Sequence, residues 1–141
     1  MPYPEMMVRP MREDLARIGF QELKSAQEVE AILGGEKRAT LVVVNSVCGC
    51  AAGSMRPAVA MSLEGDTRPE LLTTVFAGQD LDATAEARKY FTGYPPSSPA
   101  VGLLKDGELV YFMERHQIEG RTPQQIAGDL KAAYQEHCAA N

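Results

Sequence analysis

Two cysteines separated by one glycine, Cys48-Gly49-Cys50, follow the apolar run Leu41-Val42-Val43-Val44 and stand where a helix is predicted to begin. A strand-to-helix junction is the usual setting of a redox-active thiol pair. The unsatisfied N–H groups and partial positive charge of a helix N-terminus favour thiolate over thiol, so Cys48 is the candidate nucleophile. In a regular helix, residues i and i+2 point about 200° apart. A disulfide needs Cβ atoms about 3.8 Å apart. Cys48 must therefore lie before the first full turn, with Gly49 supplying the backbone freedom that brings the side chains together. A bridge closed that tightly is expected to be strained and easily reduced, which suits exchange or isomerisation and not a permanent cross-link.

The chain that must position these thiols has 141 residues, 45% of them apolar, enough for one core and one domain. Fourteen Lys and Arg against nineteen Asp and Glu leave a net charge of −5, which argues against nucleic acid and anionic membranes as partners. The first ten residues contain three prolines and no continuous apolar segment, so neither a signal peptide nor a membrane span is expected. Three cysteines, an odd and small number, fit a reducing compartment where thiols are catalytic or metal-binding, and a cytoplasmic location is expected.

Pro10 is placed in the first turn of a short helix carrying Leu15 and Ile18, within an N-terminal extension over 1–19. Phe20 to Leu23 reads as a short strand. Ser25 and Glu28 form a capping box for a helix with Val29, Ile32 and Leu33 on one face, ended by Gly34-Gly35. Thr40 to Asn45, continuous and rich in valine, reads as a buried parallel strand. The helix after the cysteines points Met55, Val59 and Leu63 inward, and Pro57 should bend it. A second buried strand spans Leu71 to Ala77, and a helix runs from Asp82 to Phe91. Lys105-Asp106-Gly107 turns a hairpin between Ala100–Leu104 and Leu109–Met113. Thr122, Pro123 and Gln125 start a last helix whose inner face is Ile126, Leu130, Ala133 and Tyr134. The order β-α-β-α-β-α-β-β-α suits an α/β thioredoxin-like fold, a central mixed sheet flanked by helices.

The segments Val43-Val44-Asn45-Ser46-Val47-Cys48-Gly49-Cys50-Ala51-Ala52-Gly53, Arg56-Pro57, Val75-Phe76-Ala77-Gly78-Gln79-Asp80 and Tyr94-Pro95-Pro96-Ser97-Ser98-Pro99 resemble the bacilliredoxin family. Leu104 to Leu109 and Arg115 to Arg121 extend the resemblance over nearly the whole chain. It implies a thioredoxin-like thiol–disulfide oxidoreductase that takes bacillithiol, a small cysteine-containing thiol, from mixed disulfides on cytoplasmic proteins; disulfide isomerase activity is attributed to the family as well. Carried onto this chain, Cys48 would attack the mixed disulfide and Cys50 would resolve it. A second bacillithiol resolving Cys48 is the alternative route. The implied partners are bacillithiolated or disulfide-containing proteins, the low-molecular-weight thiol as co-substrate with no bound cofactor, and a recycling reductase. Thioredoxins carry a tryptophan before a C-x-x-C pair and a buried aspartate six residues before its first cysteine; this chain has no tryptophan and has Val42 at that offset. The helix terminus alone is then expected to supply most of the thiolate stabilisation, and nothing points to thioredoxin reductase as the recycling enzyme.

Ser98-Pro99 precedes the hairpin, where thioredoxin-like folds place a cis-proline beside the active disulfide; Gly49, Ser98 and Pro99 are therefore the expected substrate-binding residues, with Ser98 offering backbone groups to an extended substrate. Cys138, beside His137 at a helix C-terminus, sits where a thiolate is disfavoured and reads as a dispensable or protective thiol. His116 reads as a surface or hydrogen-bonded residue, with proton donation or ligation as the functional alternative. Arg56, eight residues after Cys48, either lends positive potential from about 12 Å or forms a helix-surface ion pair. The seven methionines are expected to fill the core. A zinc or iron–sulfur site would require Cys48, Cys50, Cys138 and a histidine, but one intervening residue is shorter than the usual C-x2–4-C spacing, so no metal is expected. A general disulfide isomerase or reductase is the runner-up to bacillithiol removal, and a non-catalytic adaptor would make both motif cysteines dispensable.

Overall fold

Residues 2–139 are described by the computed structural model; Met1, Ala140 and Asn141, which the single-domain reading included, lie outside them. The chain order is α1 (Glu5–Ala16), β1 (Gln21–Glu22), α2 (Ala26–Leu33), β2 (Thr40–Asn45), a π-helical turn (Ala51–Met55), α3 (Arg56–Ser62), β3 (Leu71–Phe76), α4 (Leu81–Arg88), β4 (Ala100–Lys105), β5 (Glu108–Met113), a 3-10 turn (Arg115–Gln117) and α5 (Pro123–His137). The five strands form one mixed sheet in the order β1-β3-β2-β4-β5.

The central strand β2 pairs in parallel with β3 and antiparallel with β4, so it has no free edge and every residue of it is buried. Its alternation divides the core between the two faces of the sheet. Leu41 and Val43 face Leu15 of α1, Met55, Val59 of α3 and Leu130 of α5. Val42 and Val44 face Val29 and Leu33 of α2, Ala83 and Ala87 of α4, and Phe91. The hairpin turns through Asp106 and Gly107, both at positive φ (54° and 79°), the pair of left-handed residues that a two-residue connection requires. Thr122 and Gln125 cap α5 reciprocally, with N–H···O distances of 3.0 and 3.1 Å. At α2 the box is only half closed. Ser25 Oγ accepts from Glu28 N, but the Glu28 carboxylate turns to the Lys24 N–H at 3.3 Å.

Several sequence expectations shift. Pro10 lies inside α1, which begins five residues earlier at Glu5. The proline is exposed, so water can serve the carbonyl left without its N–H partner. Nor is α1 a mere extension: Val8 and Leu15 are fully buried, and Arg12, 7% exposed, donates to Glu5 and to both carboxylate oxygens of Asp80 while lying over the Phe76 ring. The strain expected at Pro57 is taken upstream. Arg56 N–H bonds to the Ala51 carbonyl, five residues back, so the helix widens to a π turn before Pro57 enters the first turn of α3. The α4 helix ends at Arg88, three residues earlier than its apolar periodicity suggested. Met55 and Met113 are buried as expected, but Met6 and Met7 are exposed on α1.

Gly102 of β4 is packed against aromatic rings: a Cβ there would lie 2.6 Å from Phe91 Cε1. Phe91 cannot retreat freely, because it is buried and its ring centre lies 4.9 Å from that of Phe112. Gly102→Ala should therefore destabilise the fold by about 1–3 kcal/mol, read as a lowered urea midpoint at unchanged slope. A wild-type midpoint would contradict this packing.

Candidate active site

The chain leaves β2 at Asn45 and reaches Cys48 through a loop built from hydrogen bonds. Asn45 Oδ1 accepts from Ser46 N (2.9 Å), and Ser46 Oγ accepts from Cys48 N (3.2 Å). Beneath the loop lies Arg56, only 5% exposed. Its Nη1 donates to Asn45 Oδ1 (2.9 Å) and to the Ser46 carbonyl (3.1 Å), and its Nε donates to Asp14 Oδ2 of α1 (3.0 Å). Asn45 Nδ2 completes the tie to α1 through the Met11 carbonyl at 3.1 Å. The ion pair that its spacing allowed is present, to Asp14, but the guanidinium is buried and not on the helix surface. It is a buried clamp under the cysteine loop.

Cys48 sits in a bend just before the helix, and its carbonyl accepts from Ala51 N (2.9 Å) and Ala52 N (3.3 Å), so it caps the helix as its spacing requires. Its sulfur accepts the Cys50 backbone N–H at 3.4 Å. The neighbouring Cys50 thiol is the first cause that holds the Cys48 thiol below the ordinary cysteine value. It outweighs the opposing effect of burial and is joined by the Cys50 N–H, the charge of Arg115 and the Ala51 N–H. Cys50 is driven the other way, up to about 11, by burial and by the neighbouring side chain and charge of Cys48. The backbone N–H groups at the helix start do favour the Cys48 thiolate, as its position suggested, and Cys50 and Arg115 act in the same direction.

The other wall is the loop before β4. The Ser98–Pro99 peptide bond is cis, as the resemblance implied. Arg115 follows β5 directly, and its backbone N–H donates to Ser97 Oγ (2.7 Å), its Nη1 to the Ser98 carbonyl (3.4 Å) and its Nε to Glu119 (2.6 Å). Sequence reasoning quoted Arg115 without giving it a role. The signal was available in the hairpin: once Val101 pairs with Met113, a residue two beyond Met113 lies beside Pro99. Gly49 is exposed, with open space where a side chain would stand, and the two cysteines beside it are half-buried.

Of the remaining candidates, His116 lines the groove beside Arg115, and Cys138 lies at the far end of α5. The imidazole of His116 is 73% exposed and lies 4.0 Å from Glu114. Cys138 caps the C-terminal end of α5, where burial against the core raises its thiol. Among the described residues no group of three His, Cys, Asp or Glu side chains is placed to hold a metal ion, so the Cys3His set is not assembled. Among those residues, too, no helix is long and apolar enough to cross a membrane.

Residues 3–138 match the family model described as disulphide isomerase. The chain is 51% identical over 138 residues to a bacilliredoxin of Koribacter versatilis, covering 98% of this chain and 95% of that one. It is 52% identical over 134 residues to a bacilliredoxin of Cytophaga hutchinsonii, covering 95% and 98%. Among solved structures it is similar to a thioredoxin of Malassezia sympodialis, with a TM-score of 0.54 at 16% identity over 86% of this chain and 92% of that one, a likeness of fold alone.

The thiol geometry predicts a pH effect. Removing the Cys50 side chain removes the first cause that favours the Cys48 thiolate, so Cys50→Ala should move the iodoacetamide reactivity profile of Cys48 to higher pH. Cys50→Ser, which keeps an O–H donor, should move it less. Coincident profiles for the wild type and Cys50→Ala would show that Cys50 does not set the Cys48 thiolate.

Proposed function

The chain belongs to the bacilliredoxin family and is a thiol–disulfide oxidoreductase of thioredoxin-like fold, and we propose from that premise that it removes bacillithiol from mixed disulfides on cytoplasmic proteins. The observation that carries the reading is the asymmetry of the two thiols, with Cys48 biased toward thiolate and Cys50 kept protonated until it is needed. The Cys48 thiolate attacks the bacillithiol sulfur; a new S–S bond forms, the old one breaks, and the client thiolate leaves and takes a proton from water. Cys50 then loses its proton and attacks Cys48 Sγ. This closes the Cys48–Cys50 disulfide and expels bacillithiol as thiolate. Two electrons pass from the dithiol to the mixed disulfide, and a recycling reductase or free thiol must return them.

In this reading bacillithiol is a co-substrate and no cofactor is bound. Gly49 would lie exposed between the two sulfurs, while Ser98, set by the buried cis Pro99, would offer its backbone to the client. Cytoplasmic residence accords with three cysteines that are all free. A general protein disulfide isomerase or reductase is the second reading, favoured by the description of the matched family.

The test mixes reduced protein, Cys48→Ser and Cys50→Ser with a bacillithiolated carrier protein, followed by intact-mass and peptide mapping. Cys50→Ser should accumulate bacillithiol on Cys48, Cys48→Ser should take none, and the wild type should end as the intramolecular disulfide. Equal trapping by both variants would overturn the roles. Reaction with scrambled protein disulfides but none with bacillithiol would favour the isomerase.

A further inference from the structure

The groove around Arg115 has a chemistry that the exchange reaction leaves unused. It is open to solvent, about 430 Å³ in volume, and runs between Pro96–Ser98 on one side and Glu114–Glu119 on the other. That volume lies within the range of small-molecule sites. Its cation is Arg115, whose side chain is 47% exposed. Of the neighbouring carboxylates, Glu114 lies toward His116, 4.0 Å from its Nε2, and makes no ion pair with Arg115. Only Glu119 holds the guanidinium, in an exposed ion pair of modest strength.

Arg115 is positioned as a receptor. Its backbone is fixed to Ser97 Oγ, its Nε is bound by Glu119, and Nη1 makes only a long 3.4 Å contact to the Ser98 carbonyl. Among the described residues Nη2 donates to no protein acceptor. A guanidinium edge with one loosely used nitrogen and one unused nitrogen matches a carboxylate, which takes two parallel N–H···O bonds. The same side chain is close enough to Cys48 and Cys50 for its charge to favour both thiolates. A small thiol joined to Cys48 therefore has the cleft and its cation beside it.

We propose that this cleft is the subsite for the small thiol of the mixed disulfide, and that Arg115 selects thiols carrying a carboxylate through its Nη1–Nη2 edge while Glu119 holds Nε. This rests on the exchange reaction proposed above and names the substrate class of the same site. Glu119 then orients the guanidinium from its Nε side and partly neutralises it, which weakens the pull of the free edge on an incoming anion.

The test uses the Cys50→Ser background, in which only the first transfer is read, and one carrier protein bearing 3-mercaptopropionate or 2-mercaptoethanol as mixed disulfide. These probes are of similar size and differ in the carboxylate. Rates of adduct formation on Cys48 are compared at equal thiolate fraction, taken from alkylation profiles. Arg115→Gln should lower the rate for the carboxylate probe about tenfold more than for the uncharged one. Glu119→Gln should shift the ratio in the opposite direction. Equal losses with both probes in Arg115→Gln, or no change of ratio in Glu119→Gln, would overturn the proposal and leave Arg115 acting only on the Cys48 thiolate. A bacillithiolated carrier run in parallel separates the two readings: if it alone fails to react, bacillithiol is not the substrate, and the ratio for the two small probes still decides what the cleft selects.

Discussion

Everything at the thiol end of this molecule depends on a guanidinium buried under a loop. Arg56 cannot leave water without compensation, since an unpaired buried charge costs several kcal/mol. Here each contact is made to a different part of the chain: the end of β2 through Asn45, the loop through the Ser46 carbonyl, and α1 through Asp14. The three segments must come together for the charge to be satisfied. This restrains the residues before Cys48 without using any group on the thiols themselves. It also explains why α1, which looks like an appendage in the sequence, is integral: Arg12 fixes it to the turn after β3 as Asp14 and Met11 fix it to the turn after β2.

A second constraint meets the first in the widened turn. Pro57 cannot donate to the carbonyl four residues back and its ring would crowd that carbonyl, so the helix must deform somewhere nearby. Widening over Ala51–Met55 places the deformation between the thiols and the clamp. Met55, at the end of that turn, remains fully buried against the sheet, and the turn therefore does not loosen the core. Cys48 keeps its position at the first N–H groups, where Ala51 and Ala52 bond to its carbonyl.

The elements were legible wherever a local rule decides. Thr40–Asn45 is a strand because continuous β-branched residues demand burial on both faces, and Asp106-Gly107 turns because two left-handed residues are needed there. Thr122 and Gln125 cap α5 by side-chain reach alone. What the sequence concealed was long-range. Arg56 looks like a surface residue until Asp14 and Asn45, 42 and 11 residues away, are brought beneath it. Pro10 suggested a helix start, since proline is favoured there, but Val8 had to reach the core and drew the helix back to Glu5. Arg115 carried no motif of its own, and its position follows only from hairpin register.

The absence of an acid at Val42 gains a physical meaning from the thiol pair. Val42 is fully buried on the α2–α4 face of the sheet, among apolar side chains, where a carboxylate would lack partners. Proton control is instead divided between the cysteines. Their mutual influence lowers the Cys48 thiol and, together with burial, raises that of Cys50. The arrangement has a kinetic consequence for the proposed reaction. Once Cys48 is in a mixed disulfide its negative charge is gone, and with it the repulsion that raised Cys50. In that reaction resolution is restrained before capture and eased by it, leaving burial and the charge of Glu119 to hold Cys50 back. A dedicated buried base is not required for that order of events, because the loss of charge on the first sulfur is itself the signal to the second.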